Sequence, residues 1–245
     1  MSLFPRLTEA DCRLALVVDE DPWTHAELAS AAQEHTDRLR AEGIEPGARV
    51  AVWAYPSATT AAAMLGNLAV GATTIPLNPK LGSGEAAHIF DDARPRIAFC
   101  AEGFEPPHTA SGIVSMQGTS SRGEASLPPI DTDGSAGLIL YTSGTTGPPK
   151  GAVLSRANLA ANLDSLIEAW EWTERDTVVH SLPLIHAHGL VLGLFGSLRV
   201  GGALHYVSKF DPAAIERALR DPRHDQTLLF AVATMYHRLA EAAEG

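Results

Sequence analysis

Two short apolar runs enclose a polar, glycine-rich loop, and this arrangement narrows the fold more than any other stretch. Gly137 to Leu140 leads in, Tyr141-Thr-Ser-Gly-Thr-Thr-Gly-Pro-Pro-Lys-Gly151 follows, and Ala152 to Leu154 leads out. The pattern predicts a strand, a loop and a second strand. Gly144, Gly147 and Gly151 let the backbone turn tightly and let a ligand approach N–H groups. Successive N–H groups in such a loop form a concavity for anions. The hydroxyls of Tyr141, Thr142, Ser143, Thr145 and Thr146 add donors, and Lys150 adds a mobile positive charge suited to phosphate. Ordinary turn chemistry accounts for the Gly and Pro but not for the hydroxyls and the lysine together. A Walker A loop is excluded. Counting from Gly144, Pro149 stands where that motif needs its second glycine, and Gly151 follows Lys150 where Ser or Thr is required. Pro148 and Pro149 also prevent a helix from starting within the loop.

Strands and helices alternate around this loop. Leu14 to Val18 reads as a strand. Thr24 and Glu27 have capping-box spacing, Trp23 and Leu28 have staple spacing, and the helix they open runs to Gly43. His35 lies on its apolar stripe and is expected to pack rather than to ligate. Arg49–Tyr55, Thr73–Leu77 and Arg96–Ala101 read as strands, separated by helices from Ser57 to near Gly71 and from Ser83 to Ala93. This alternation predicts an α/β fold built from mostly parallel βαβ units. Glu102 to Gly134, rich in Pro, Gly and Ser, is expected to be a long surface connection with one edge strand at Ile113 to Met116. Beyond the loop, a helix is predicted over Arg156–Trp170, with Trp170 and Trp172 as core anchors. Strands follow at Thr177–Leu182, Ala203–Val207 and Thr227–Val232, the last of buried type. An apolar helix from Gly189 to near Arg199, a helix capped by Asp211 and a last helix capped by Thr234 complete the reading.

His186 and His188 lie between a strand and an apolar helix. Three readings stand side by side. A metal site would need a third ligand that the neighbourhood does not supply. The histidines could instead pack or cap at the helix start. Or they line a small-molecule pocket at the carboxyl end of a strand, where open α/β sheets bind ligands.

At 19% charged and 45% hydrophobic residues the chain is globular in composition, and 245 residues can bury a sizeable core. A formal net charge of −11 argues against nucleic acid or an anionic membrane as partner. Cys12 and Cys100 do not make a disulfide framework, no secretory leader is visible, and no apolar run is long enough to span a bilayer, so a cytoplasmic chain is expected.

Tyr141 to Gly151 resembles, nearly residue for residue, the phosphate-loop signature of the adenylate-forming superfamily, which includes acyl-CoA synthetases, firefly luciferase and the adenylation domains of peptide synthetases. Gly71-Ala72 and Pro76-Leu77-Asn78-Pro79 resemble a second family pattern. Pro183-Leu184-Ile185-His186 followed by Gly189 is similar to the family's acyl-pocket motif, with Ile185 in place of Phe. His186 to Gly193, Ser208-Lys209-Phe210-Asp211 and Thr234-Met235-Tyr236-His237-Arg238-Leu239 resemble the malonyl-CoA synthetase branch. Where the family commonly has Val-Pro-Thr, this chain has Val232-Ala233-Thr234, which leaves that turn less constrained.

The resemblance implies layered αβα lobes and an ATP-dependent ligase that activates a small carboxylic acid of malonate or methylmalonate type and transfers it to CoA. It implies that Thr142, Ser143, Gly144, Thr145, Thr146, Gly147 and Lys150 hold ATP phosphates, with Thr145 or Thr146 near Mg²⁺. It places His186, His188, Gly189, Thr234 and Met235 at the substrate pocket, with His188, Arg199 and Arg238 as partners for a second carboxylate. For Arg199 a solvated surface charge is the competing reading. It makes residues 49–175 one sheet lobe, and 1–48 with 176–245 portions of a second, incomplete one. The aromatic-Gly-x-Thr-Glu motif, the ribose-binding aspartate, the hinge and the C-terminal lid domain with its catalytic lysine have no counterpart here, and no lysine follows Lys209. The expectation is therefore an N-terminal part of an AMP-binding domain, inactive or weak by itself. An incomplete lobe would leave an open sheet edge through which the chain could self-associate. A general short-chain acyl-CoA synthetase, an amino-acid adenylating domain, and an inactive interaction module are the alternatives.

Overall fold

The residues that pair and pack in two separate sheets come from interleaved parts of the chain. The structure, a computed structural model, describes residues 2–101, 114–117, 122–142 and 148–244. In chain order the elements are β1 (Leu14–Val18), β2 (Asp21–Thr24), α1 (His25–Ala41), β3 (Arg49–Trp53), α2 (Ala58–Ala69), β4 (Thr73–Leu77), α3 (Ser83–Ala93), β5 (Ile97–Cys100) and β6 (Val114–Gln117). They continue with β7 (Ala136–Thr142), β8 (Lys150–Ser155), α4 (Arg156–Ala169), β9 (Asp176–His180), a π-helix (His188–Phe195) that runs into α5 (Gly196–Val200), β10 (Ala203–Tyr206), α6 (Pro212–Leu219), β11 (Gln226–Phe230) and α7 (Ala233–Glu244). One sheet has the order β6-β5-β3-β4-β7-β8, the other β11-β9-β10-β1-β2. Only β8 and β2 run antiparallel to their neighbours. The parallel α/β expectation thus holds, and β6 is the edge strand expected near Ile113 to Met116.

Strand alternation explains how the layers stack. In β3, Val50 and Val52 join one core while Ala51 and Trp53 join another, because successive side chains point to opposite faces. The first core lies between the sheets and is filled by α1, α2, α4, the π-helix and α5, with Leu16 and Leu204 contributed by the second sheet. On the outer face of the six-stranded sheet, α3 packs through Ala86, Ile89, Phe90 and Ala93. On the outer face of the other sheet, α6 packs Ile215 and Ala218 against Val179 and Val207. The result is five layers, αβαβα. In the central layer α2 is buried at Ala58 and from Thr60 to Leu68, as a helix apolar on every side must be.

Local signals set the helix starts. Thr24 and Glu27 form the capping box that opens α1, and Trp23 and Leu28 are both buried beside it. Ser57 caps α2, and Asp211 caps α6 with its carboxylate on the Ala214 N–H. A second capping box, Ser155 with Asn158, starts α4. His35 is buried on α1, bonded to Asn67 of α2 at 2.9 Å and packed edge-on against Phe99, which is the packing role expected of it.

Five expectations require correction. The apolar stretch after His186 is a π-helix for eight residues before it becomes α-helical. The last helix starts two residues earlier than expected: the N–H groups of Met235 and Tyr236 both reach the Val232 carbonyl, so Thr234 sits in the first turn instead of capping it. β11 is not of buried type, because it pairs with β9 on one side only and is exposed or half-buried along its length. Trp172 is a core anchor, but Trp170 is 47% exposed. The connection before β7 is also more than surface loop where it is described, since Leu127 and Ile130 are buried and bond to the N-terminal segment through Leu7 and Leu3.

Candidate functional site

Parallel strands deliver their carboxyl ends to one edge of each sheet, and here the two edges meet. The residues just after β1, β3, β4, β9 and β10 line a common cleft of 610 Å³. The six-stranded sheet contributes Tyr55, Asn78 and Lys80, and the five-stranded sheet Asp19, Ser181, Ser208 and Lys209, with His186 from the approach to the π-helix. Tyr206 closes one wall. It is 5% exposed, and burial, aided by the nearby Asp19 carboxylate, pushes its phenol up to about 12, so it presents a neutral hydroxyl.

The β7–β8 hairpin reaches the same edge. β7 runs parallel to β4, and its last residue, Thr142, pairs with Lys150, the first of β8. Ser143, Gly144, Thr145, Thr146 and Gly147, the middle of the expected phosphate loop, lie outside the described residues. The loop's two ends are anchored to α3. His88 bonds to the Pro149 carbonyl at 2.8 Å, and the Tyr141 hydroxyl donates to Asp92 at 2.5 Å. Burial raises the Tyr141 phenol and the hydrogen bond to Asp92 raises it further, so it remains a donor. His88 and Asp92 are four residues apart and share a face of α3. That spacing was visible in the sequence, but nothing in it indicated the hairpin as the partner.

The expected acyl-pocket residues separate. His186 lines the cleft. His188 opens the π-helix and packs on Phe230 at the end of β11, ring centroids 5.9 Å apart. Gly189 is buried where a Cβ would meet the Pro183 carbonyl at 2.5 Å, so the chain passes too close there for any side chain. Thr234 and Met235 occupy the first turn of α7, and Arg238 stacks on Phe210, 4.7 Å from its ring centre. Arg199 fits neither of its two readings. Its side chain is 6% exposed, forks onto Asp164 at 2.8 and 2.9 Å, and donates to the Ser2 and Leu3 carbonyls. It ties α5 to α4 and to the N-terminal segment.

Behind the cleft, His180 ends β9 fully buried. Its Nδ1 accepts from the Leu182 N–H at 3.0 Å, which leaves Nε2 protonated and facing Gly193 of the π-helix. Burial, with the His188 charge adding, pushes its pKa down to about 3. Sequence reading missed Tyr55, Lys80, Ser181 and Tyr206. Each sits at or just after the end of a strand, which is the signal that could have found them.

A layered α/β domain with a cleft at the shared carboxyl edge of two mostly parallel sheets is the class these features define. The chain belongs to the AMP-binding enzyme family, which matches residues 7–245. A malonate–CoA ligase of Arabidopsis thaliana is 28% identical over 95% of this chain and 45% of its own length. A malonyl-CoA ligase solved with methylmalonyl-CoA and AMP superimposes with a TM-score of 0.88 at 40% identity, over 98% of this chain and 51% of that one. An ATP-bound MatB from Rhodopseudomonas palustris gives 0.85 at 30%, over 98% and 51%. The chain thus spans about half the length of the relatives it matches.

Proposed function

We propose that this chain is the acid- and phosphate-binding half of an ATP-dependent acyl-CoA ligase that activates a small dicarboxylic acid of malonate or methylmalonate type. The observation that carries the reading is where the cations stand. In a chain of net charge −11, all three lysines, Lys80, Lys150 and Lys209, lie at the carboxyl edge of the sheets. An anionic substrate supplies the reason to gather them there. The likeness to a ligase solved with methylmalonyl-CoA and AMP supports the choice of acid.

In the proposed reaction a carboxylate oxygen of the acid attacks the α-phosphorus of ATP. The bond from that phosphorus to the bridging oxygen breaks, and pyrophosphate leaves with its electron pair. The thiol sulfur of CoA then attacks the acyl carbon, releases AMP and passes its proton to solvent or base. Steps of this kind depend on positioning and charge neutralisation. Thr142 and Lys150, with Ser143 to Gly147 between them, hold the β- and γ-phosphates; Thr145 or Thr146 would hold Mg²⁺, which would supply further charge neutralisation to the phosphates. His186 shapes the acyl pocket, and Gly189 lets the backbone close behind it. Lys209 or Lys80 receives the second carboxylate in place of Arg199. Arg238 and His188 act on that wall only indirectly, through Phe210 and Phe230, while Thr234 and Met235 stand in the first turn of α7.

Titrating the chain with pyrophosphate, Mg·ATP, malonate, acetate and glycine tests the reading. Pyrophosphate should bind and should lose most of its affinity in Lys150→Ala, and malonate should bind more tightly than acetate or glycine. A preference for acetate would sink the dicarboxylate assignment. ATP–pyrophosphate exchange by residues 1–245 alone should stay near background, and robust malonate-dependent exchange would overturn that part.

A further inference from the structure

We propose that His205, His224 and Asp221 form a binding site for a divalent metal ion of the zinc class, beside a second cavity that Asp19 borders along with the cleft. His205 is on β10, while Asp221 and His224 are in the loop from α6 to β11. One ligand atom from each of the three lies within 4.8 Å of the others, the only such His, Cys and carboxylate trio among the described residues. His205 Nδ1 and His224 Nε2 are 2.9 Å apart, and the Asp221 carboxylate is 3.9 Å from His205 Nδ1. Two nitrogens on a tetrahedral zinc, each about 2.1 Å from it, stand about 3.4 Å apart. The pair therefore needs to open by roughly half an ångström to admit the ion.

Two further features fit a ligand set. His205 Nε2 donates to the Asp19 carbonyl at 2.7 Å, which fixes the tautomer and aims the Nδ1 lone pair at the cluster. Carbonyl support of this kind is the usual outer partner of a metal-bound imidazole. A cavity of 360 Å³ bordered by His205 and Asp221 gives an ion a way in and leaves room for a water as fourth ligand. Two imidazoles and a carboxylate suit zinc, and by the general affinity order nickel and copper as well.

One group opposes the ion. Arg223 donates through Nε to both Asp221 oxygens, at 2.9 and 3.0 Å, and through its second nitrogen to one of them. Its side chain is 38% exposed, so it can swing away. The competing account of the cluster is a single proton shared between the two imidazoles, with Arg223 neutralising Asp221.

Zinc affinity of the untagged chain, carrying Cys12→Ser to remove the exposed thiol, decides between them. It can be read by competition with a chromophoric chelator, and cobalt supplies a visible absorption signature of tetrahedral geometry. One ion per chain is expected, with at least a tenfold loss in His224→Gln and none in His237→Gln, which alters the surface pair with Glu241. Arg223→Ala should tighten binding, because it removes a competing cation without touching a ligand. A shared proton predicts no such gain. Absence of stoichiometric zinc binding, or an affinity unchanged in His224→Gln, would overturn the proposal. Circular dichroism of each variant separates loss of the site from loss of the fold.

Discussion

Lys80 and Lys209 come from different sheets, one after β4 and the other after β10, yet line the same cleft. Lys209 follows Ser208, whose N–H is fixed by the Asp19 carboxylate at 2.9 Å, so its backbone is held in place. A charge-assisted hydrogen bond contributes about 1.5–3 kcal/mol. Lys209→Gln is therefore expected to weaken malonate binding about tenfold to a hundredfold and to leave acetate binding nearly unchanged. Lys209→Arg should retain most of the malonate affinity, since the charge remains. Calorimetric titration with both acids checks this, and Lys80→Gln in parallel shows which lysine carries the larger share.

The hairpin makes a second prediction. Lys150 supplies charge, whereas His88 and Asp92 only anchor the loop's two ends. Lys150→Ala should lower pyrophosphate affinity by roughly tenfold or more, and the loss should shrink as salt is raised. Asp92→Asn keeps a partner for the Tyr141 hydroxyl and removes a negative charge near the rim, so it should leave affinity equal or slightly higher. His88→Ala should weaken binding less than Lys150→Ala does, through a looser loop.

The strand ends of the six-stranded sheet and the capping boxes were legible because their signals are local. Periodicity locates β3, β4 and α3 to within a residue or two, and Thr24 with Glu27 states its own geometry. What was not legible depends on pairing across the fold. Nothing within the chain segment around Arg199 shows that Asp164 and the carbonyls of Ser2 and Leu3 will surround it. Nor does the Gly189 to Leu198 run announce a π-helix. The space beside Gly193 is filled by His180, a residue outside the run. The cleft lysines lay in between. Lys209 belonged to a quoted motif, but its role became visible only once two sheets shared an edge.

Histidine burial sets the response to acid. His25 and His35 are held neutral down to about 4, and His180 to about 3, in each case chiefly by desolvation. Unfolded, each takes up a proton near 6.5, whereas folded it does not, so below 6.5 the unfolded state binds more protons and stability falls with pH. The loss is about 1.4 kcal/mol per pH unit for each such histidine until its folded pKa is reached. Thermal melts between pH 7 and 4.5 should show a steep decline, and His35→Gln should make it shallower. A melting temperature independent of pH over that window would contradict the burial of these rings.

Arg199 separates a structural from a substrate role. Removing it leaves the Ser2 and Leu3 carbonyls without their donor and Asp164 without its fork. Leaving those carbonyls unpaired costs about 1–3 kcal/mol, and the solvent-exposed Asp164 end of the pair adds little. Arg199→Ala should therefore lower the denaturant midpoint markedly. The folded fraction should still bind malonate and pyrophosphate as the parent chain does. Selective loss of malonate affinity with stability intact would restore the pocket reading.

Gly193 tests whether the π-helix and β9 act as one unit. A Cβ on it would stand 2.0 Å from His180 Nε2, and His180 cannot retreat easily because its Nδ1 is held by the Leu182 N–H and its ring lies edge-on to Tyr206. Gly193→Ala should cost about 1–3 kcal/mol of stability, the usual range for overpacking a core. In a His180→Ala background the same substitution meets open space and should cost far less. The difference is a coupling energy measurable by a double-mutant cycle in urea. Because Tyr206 lines the cleft, Gly193→Ala should also shift malonate affinity if the ring is displaced towards it. Additive effects in the cycle would mean that His180 and Gly193 do not share that space in solution.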